Sequence, residues 1–213
     1  MKKQLLLLTL ALVGTLLFTQ CNKKPDAKTP AQKKTAEVDA RAFDQWAYFN
    51  LREGKVVTVT NPETDLTWDI AFHRYDFRTN SGASGKGQGG AAETAFAEVT
   101  DRGSLPEASA FTQDEIGTIV SYMSGGHGDD NGIQYAQTGV NYLLTTKTDE
   151  NGKIVHQGAI AMKGMPPTYE YSGKVYAVRC ADGSHALVKV TNYKNAHNES
   201  AFINFEYSHL SDN

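Results

Sequence analysis

The 213-residue chain carries 21 basic and 24 acidic side chains, a formal net charge of −3, with 40% hydrophobic residues and two cysteines. Beyond residue 36 the basic residues are dispersed, which excludes the concentrated positive surface that nucleic-acid binding requires.

Residues 1–3 (MKK) form a positive n-region, and residues 5–18 form an uncharged apolar run broken only by Thr9, Gly14 and Thr15. That run suits a secretory signal and is short for a helix crossing a hydrocarbon core of roughly 30 Å. Cys21 follows directly, where lipoprotein processing cuts and acylates, although Gln20 stands where a small residue is usual. The sequence predicts an exported lipoprotein with signal peptide 1–20; a secreted chain or one held by an uncleaved anchor is the alternative. Residues 22–36 contain five lysines, two prolines and no large apolar side chain. They cannot bury enough surface to offset ordering, so residues 21–36 read as a lipid-anchored flexible linker. Residues 37–213 then form one β domain, long enough to bury a core. With Cys21 acylated, Cys180 has no internal partner and reads as a small buried residue.

Within the domain, residues 40–51 fit a short helix or an early strand. Residues 55–60 (KVVTVT) are β-branched and stop at Asn61-Pro62, the pattern of a strand and a turn. Residues 66–77 (LTWDIAFHRYDF) alternate, with Trp68, Ile70 and Phe72 on one face and Asp69, Ala71 and His73 on the other, predicting one half-buried strand. Further strands are expected at 116–122, 140–146, 153–161, 169–171, 174–180, 185–193 and 201–207. Turn signals stand at 149–152 (DENG) and at Asp182-Gly183. Regular strands without long amphipathic helices predict an all-β fold.

Three segments could carry chemistry. Residues 68–91 are glycine-rich but fail the phosphate-loop pattern, since Asn80 and Gly87 stand where a glycine and a Ser or Thr are required. Gly82, Gly85, Gly87, Gly89 and Gly90 are expected to supply positive φ in a tight loop, and His73 to be a structural, hydrogen-bonded residue. Residues 124–132 (SGGHGDDNG) place His127 in a polar turn; the alternate oxygens and terminal glutamate of an EF-hand are missing. Residues 161–169 hold Met162 and Met165, and Met123 ends an earlier strand. Thioethers suit haem iron or Cu(I), or simply fill core. No GxSxG, HExxH or CxxC motif is present, and no catalytic constellation is legible, so an enzyme is not expected.

Residues 65–91 (DLTWDIAFHRYDFRTNSGASGKGQGGA) resemble the signature segment of the HmuY-like haem-binding lipoproteins of Bacteroidetes. Residues 166–196 (PPTYEYSGKVYAVRCADGSHALVKVTNYKNA) resemble that family's C-terminal strands, in the same order. The resemblance implies a single HmuY-like antiparallel β domain that binds haem b non-covalently. It further implies a haemophore on the outer membrane, lipid-anchored, surface-exposed or released, which takes haem from host haemoproteins and passes it to a TonB-dependent receptor. In the family, the iron is held by axial ligands from two loops, two histidines in one well-known member and methionines in others. The first loop follows a strand matching Ile119-Val120-Ser121-Tyr122 and here holds His127, with Met123 at its start. The second precedes Pro167-Thr168-Tyr169 and here offers Met162 and Met165. The two-histidine pattern is absent, because His156 lies six residues too early. Tyr122, Tyr135 and Tyr169 flank the loops as candidate pocket residues. The alternative is a non-catalytic envelope module of the same fold that has lost haem and recognises another ligand or protein.

Overall fold

A computed structural model of the chain describes residues 32–123, 132–151, 153–163 and 168–210. The signal peptide, Cys21, His127 and Met165 lie outside the described residues.

Fifteen strands, all paired antiparallel, account for the described fold. A five-stranded sheet has the order β1-β15-β14-β13-β6, made of β1 (Lys34–Asp39), β6 (Gly90–Glu93), β13 (Val175–Arg179), β14 (His185–Lys194) and β15 (Ser200–Leu210). A four-stranded sheet has the order β3-β2-β4-β5, made of β2 (Ala47–Asn50), β3 (Lys55–Val57), β4 (Ile70–His73) and β5 (Asp76–Thr79). Three two-stranded ladders complete the set: β7 (Glu115–Met123) with β8 (Ile133–Val140), β9 (Lys147–Thr148) with β10 (Ile154–His156), and β11 (Ile160–Lys163) with β12 (Thr168–Tyr171). The all-β expectation holds.

The main core includes Phe49, Ile70, Phe72 and Phe77 from the smaller sheet and Tyr176, Val178, Val188, Ile203 and Phe205 from the larger. Phe72 sits edge-on to Phe77 at 5.4 Å and 5.3 Å from Phe205, so aromatic contacts cross between the sheets. Asp69 ties the sheets by polar means as well. Its carboxylate accepts the Leu51 and Ala181 amides at 2.8 and 2.9 Å and pairs with Arg52 at 3.1 Å. Burial without those partners would be costly for a carboxylate.

The structure corrects several expectations. Residues 66–77 are not one half-buried strand. Both faces from Trp68 to His73 are buried, and β4 turns back into β5 through Arg74, whose φ is +55°. Residues 140–146 form not a strand but a buried turn, in which the Asn141 carbonyl accepts the amides of Leu144 and Thr145 at 3.1 and 2.8 Å. Residues 153–161 divide between β10 and the start of β11, and residues 40–51 supply β2 rather than a helix. Lys34–Ala36, read as linker, are the first half of β1 and pair with Phe205–Tyr207.

Of the glycines at 82–90, Gly82 and Gly90 have positive φ. Gly85, Gly87 and Gly89 are required for a different reason. A Cβ on any of them would fall within 2.2–2.7 Å of Asn80. Asn80 is buried and donates to the carbonyls of Asp65 and Trp68 at 2.7 and 3.0 Å, while Gly87 N donates back to Oδ1. The signature segment is therefore a packed hub rather than a ligand loop. His73 is structural as expected, buried with Nε2 2.9 Å from the Phe43 carbonyl.

Candidate functional site

Among the described residues, most large apolar side chains left in solvent belong to β7–β12. They are Ile116, Tyr122, Met123, Ile133 and Tyr135 on the first hairpin, and Ile154, Val155, Met162 and Tyr171 beyond it; only Val56 and Leu66 lie elsewhere. Concentration of this kind marks a surface meant to be covered.

Strand register explains how the first hairpin builds its apolar face. Ile116 opposes Gly139, Thr118 opposes Gln137 and Val120 opposes Tyr135. A bulge follows, so that Tyr122 opposes Gln134 and Met123 opposes Ile133. Side chains alternate along each strand, so the extra residue shifts Met123 onto the face of Val120, Tyr135 and Ile133 and Tyr122 onto the other. On that face Ile116 is 62% and Tyr135 65% exposed, and Met123 is 48% exposed. The opposite face is the anchoring one near the root, where Gly117, Ile119 and Val140 are buried.

The root is held by a buried polar clamp that sequence reasoning missed. Asp114 precedes β7 and Asn141 follows β8, and Asn141 Nδ2 donates to the Asp114 carboxylate at 2.9 Å. Asp114 also accepts the Thr79 amide at 2.8 Å and the Thr79 hydroxyl at 2.6 Å, which pins the hairpin to β5. Burial pushes the Asp114 carboxyl above its ordinary range, and these donated hydrogen bonds oppose the rise. Sequence offered only a faint signal, an Asp and an Asn bracketing an alternating segment.

In the second hairpin Met162 opposes Tyr169 and Ile160 opposes Tyr171, all on one face. Ile160 and Ala161 are buried at its root, while Met162 is 51% exposed. The roots of both hairpins join the same strip, since Thr145 bridges Ile160 and the Ala159 amide donates to the Leu144 carbonyl at 2.7 Å. Gly158 is obligatory here, because a Cβ would lie 2.2 Å from the Leu144 carbonyl oxygen. Tyr169 stacks on Tyr75 at 3.9 Å and lies 5.7 Å from Tyr193, so much of its ring packs against the fold. His156 is occupied at the root, with Nε2 3.0 Å from the Leu143 carbonyl.

The described candidates thus divide between the hairpins: Tyr122, Met123 and Tyr135 on the first, Met162 and Tyr169 on the second. Among the described residues no cluster of three His, Cys, Asp or Glu side chains could hold a bare metal ion. Exposed thioethers set among apolar and aromatic side chains instead suit a soft metal carried within a large apolar ligand. Cys180 is fully buried one residue beyond β13, and burial pushes its thiol far above the ordinary range, which leaves it unreactive.

The chain is similar in sequence and fold to known proteins. The family model described as HmuY protein matches residues 42–207. A solved structure of a putative HmuY-like heme binding protein from Bacteroides vulgatus is 30% identical, with a TM-score of 0.61, over 83% of this chain and 91% of that one. A putative lipoprotein from Bacteroides fragilis is 29% identical, with a TM-score of 0.60, over 82% and 89%. Apo PinO from Porphyromonas gingivitis shares the fold at 22% identity and a TM-score of 0.63, over 84% and 98%. No match was found among curated proteins.

Proposed function

Because the chain belongs to the HmuY family, we propose that it is a haem-binding, haemophore-like lipoprotein of the bacterial envelope. HmuY-family proteins are non-catalytic haem carriers, so the chain is no enzyme. The observation that carries the reading is the pair of hairpins with buried, clamped roots and exposed apolar faces, each bearing a thioether. Haem b supplies an iron that accepts one axial ligand from each side of a flat apolar macrocycle. His127 or Met123 from the first hairpin and Met162 or Met165 from the second are the donors of this proposal. Tyr122, Tyr135 and Tyr169 are its pocket candidates, and burial of the macrocycle against such side chains provides most of the affinity. A mixed His/Met pair raises the reduction potential relative to two histidines.

The carrier takes haem from host haemoproteins and delivers it to a TonB-dependent receptor, tethered to the outer membrane through acylated Cys21. Haemin titration of the mature chain, followed at the Soret band in oxidised and reduced forms, tests the binding step. One equivalent saturates the band, and His127→Ala or Met162→Ala weakens binding and changes the spin state. A band that never saturates in either redox state favours a module of the same fold that has lost haem.

A further inference from the structure

The outer face of the smaller sheet holds a second arrangement, unrelated to the hairpins. Register places Val57, Tyr48, Ala71 and Arg78 side by side across β3, β2, β4 and β5. Ala71 is the small member of this row, and the Arg78 guanidinium lies among aromatic rings beside it. Its Cζ is 4.3 Å from the Trp46 ring, 5.0 Å from Tyr48 and 5.4 Å from Trp68. Arg78 is 4% exposed, Nη2 donates to the Tyr48 hydroxyl, and buried Nε has no hydrogen-bond partner. No carboxylate pairs with it among the described residues. A desolvated cation held by π faces and a neutral hydroxyl lacks the paired anion that normally accompanies a buried charge.

Arg78 also lines a cleft of about 930 Å³ between the β1–β2 connection and the segment from Val56 to Pro62. No residue of β7–β12 contributes to its walls. Trp46 and Tyr48 supply aromatic wall, and Val57 and Val59 aliphatic wall. The other basic residue of the lining, Arg41, is already engaged by Asp39 and Glu199 at 2.8 and 3.2 Å. Asp44, exposed at the rim, disfavours a second negative charge. Burial holds the Arg78 guanidinium below its ordinary pKa, against the opposing pull of Tyr48 and Asp114.

We propose that this cleft is a binding site for a small monocarboxylate with an aromatic or aliphatic body. The carboxylate meets the Arg78 guanidinium, and the body lies against Trp46 and the two valines. A guanidinium fork recognises carboxylate geometry more strictly than a point charge, so Arg78→Lys does not preserve the site.

Phenylacetate is the probe and phenylacetamide its neutral counterpart, each titrated into the mature chain without haem. The readouts are tryptophan fluorescence and the arginine Nε–H resonances in a nitrogen-15 spectrum. Phenylacetate is expected to shift the Arg78 Nε–H resonance saturably, with no saturable response to phenylacetamide. Loss of one charge-assisted contact in Arg78→Lys weakens phenylacetate by about tenfold or more. Thr58→Trp, at an exposed position of the lining, blocks the cleft while leaving Arg78 in place, and decides the matter if the Arg78 variant does not fold. An unmoved Arg78 resonance, equal responses to the two probes, or unchanged affinity in Thr58→Trp overturns the proposal. Because haem is absent throughout, failure here is separate from failure of the haem reading.

Discussion

In β13, Val175, Tyr176, Ala177 and Val178 are all buried, whereas in β7 Ile116, Tyr122 and Met123 stand in solvent. Both are antiparallel strands with apolar side chains, and the difference lies in what covers them. One face of each sheet packs on the other, and the second face of β13, with Val175 and Ala177, is covered by Val99 and Phe111. The hairpins are fastened at Asp114–Asn141 and at Thr145–Ile160, and beyond those roots Tyr169 packs on Tyr75 while Ile116, Met123, Tyr135 and Met162 stay exposed. Stability is thereby concentrated in the sheets, and the proposed recognition surface in elements whose exposed apolar side chains contribute little to folding. Such a division lets a binding surface vary without endangering the fold.

The contrast can be broken by mutation, first in the core. Phe72→Ala, between Phe77 and Phe205, is expected to cost about 3–5 kcal/mol in thermal or urea unfolding. A loss near zero would show that the sheets do not share one core. Asp114→Ala strips the buried Thr79 amide of its acceptor and removes one partner each from the Thr79 hydroxyl and Asn141, at about 2–3 kcal/mol. Hydrogen exchange in that variant should quicken through β7 and β8 more than in β13 and β14; uniform quickening would deny the clamp its local role.

The larger sheet also carries a pH-sensitive group in β15. Burial lowers the His209 pKa below its ordinary 6.5, against the opposing pull of Asp182 and Asp69. The unfolded chain then binds the proton more tightly, so stability is full above 6.5 and falls as the pH drops through that value toward the folded-state pKa. His209→Gln should flatten the decline in Tm across this window, leaving haemin binding at pH 7 unchanged. The smallest effect on stability belongs to the hairpin face. Tyr135→Ser should alter folding by no more than about 0.5 kcal/mol, yet weaken haemin in the Soret titration; a large unfolding penalty would make Tyr135 part of the core.

Much of this architecture was legible in advance, and the failures share a cause. The strands from β12 to β15 fall where the sequence placed them, and the turn at Asp182-Gly183 falls where its residues demand, with Gly183 at φ +90°. The β4–β5 turn escaped because Arg-Tyr is no turn signal. Arg74 is held in its left-handed conformation from outside, by its amide to the Ala40 carbonyl at 2.8 Å, Nη1 to the Arg41 carbonyl at 3.0 Å and its guanidinium over Phe43 at 4.3 Å. Residues 140–146 misled in the same way, since the Asn141 side chain and carbonyl wind an apolar stretch into a turn that only its partners define. At the site, the sequence pointed to the thioethers and flanking tyrosines but not to the bulge that sets Met123 and Tyr122 on opposite faces. The Arg78 cleft was equally hidden, because only the register of β2 to β5 sets Arg78 beside Tyr48 and brings it among Trp46 and Trp68.

The pairing of β1 with β15 has a mechanical meaning. β1 is an edge strand, and the segment before it is the proposed tether. Tension from a membrane anchor therefore enters the molecule at the margin of the larger sheet, through six ladder residues and the Lys33–Glu206 pair at 2.8 Å. From β15 the load passes to β14 through their shared ladder, while the two hairpins belong to separate ladders. A pull on the proposed tether would therefore strain that margin before it reached either hairpin.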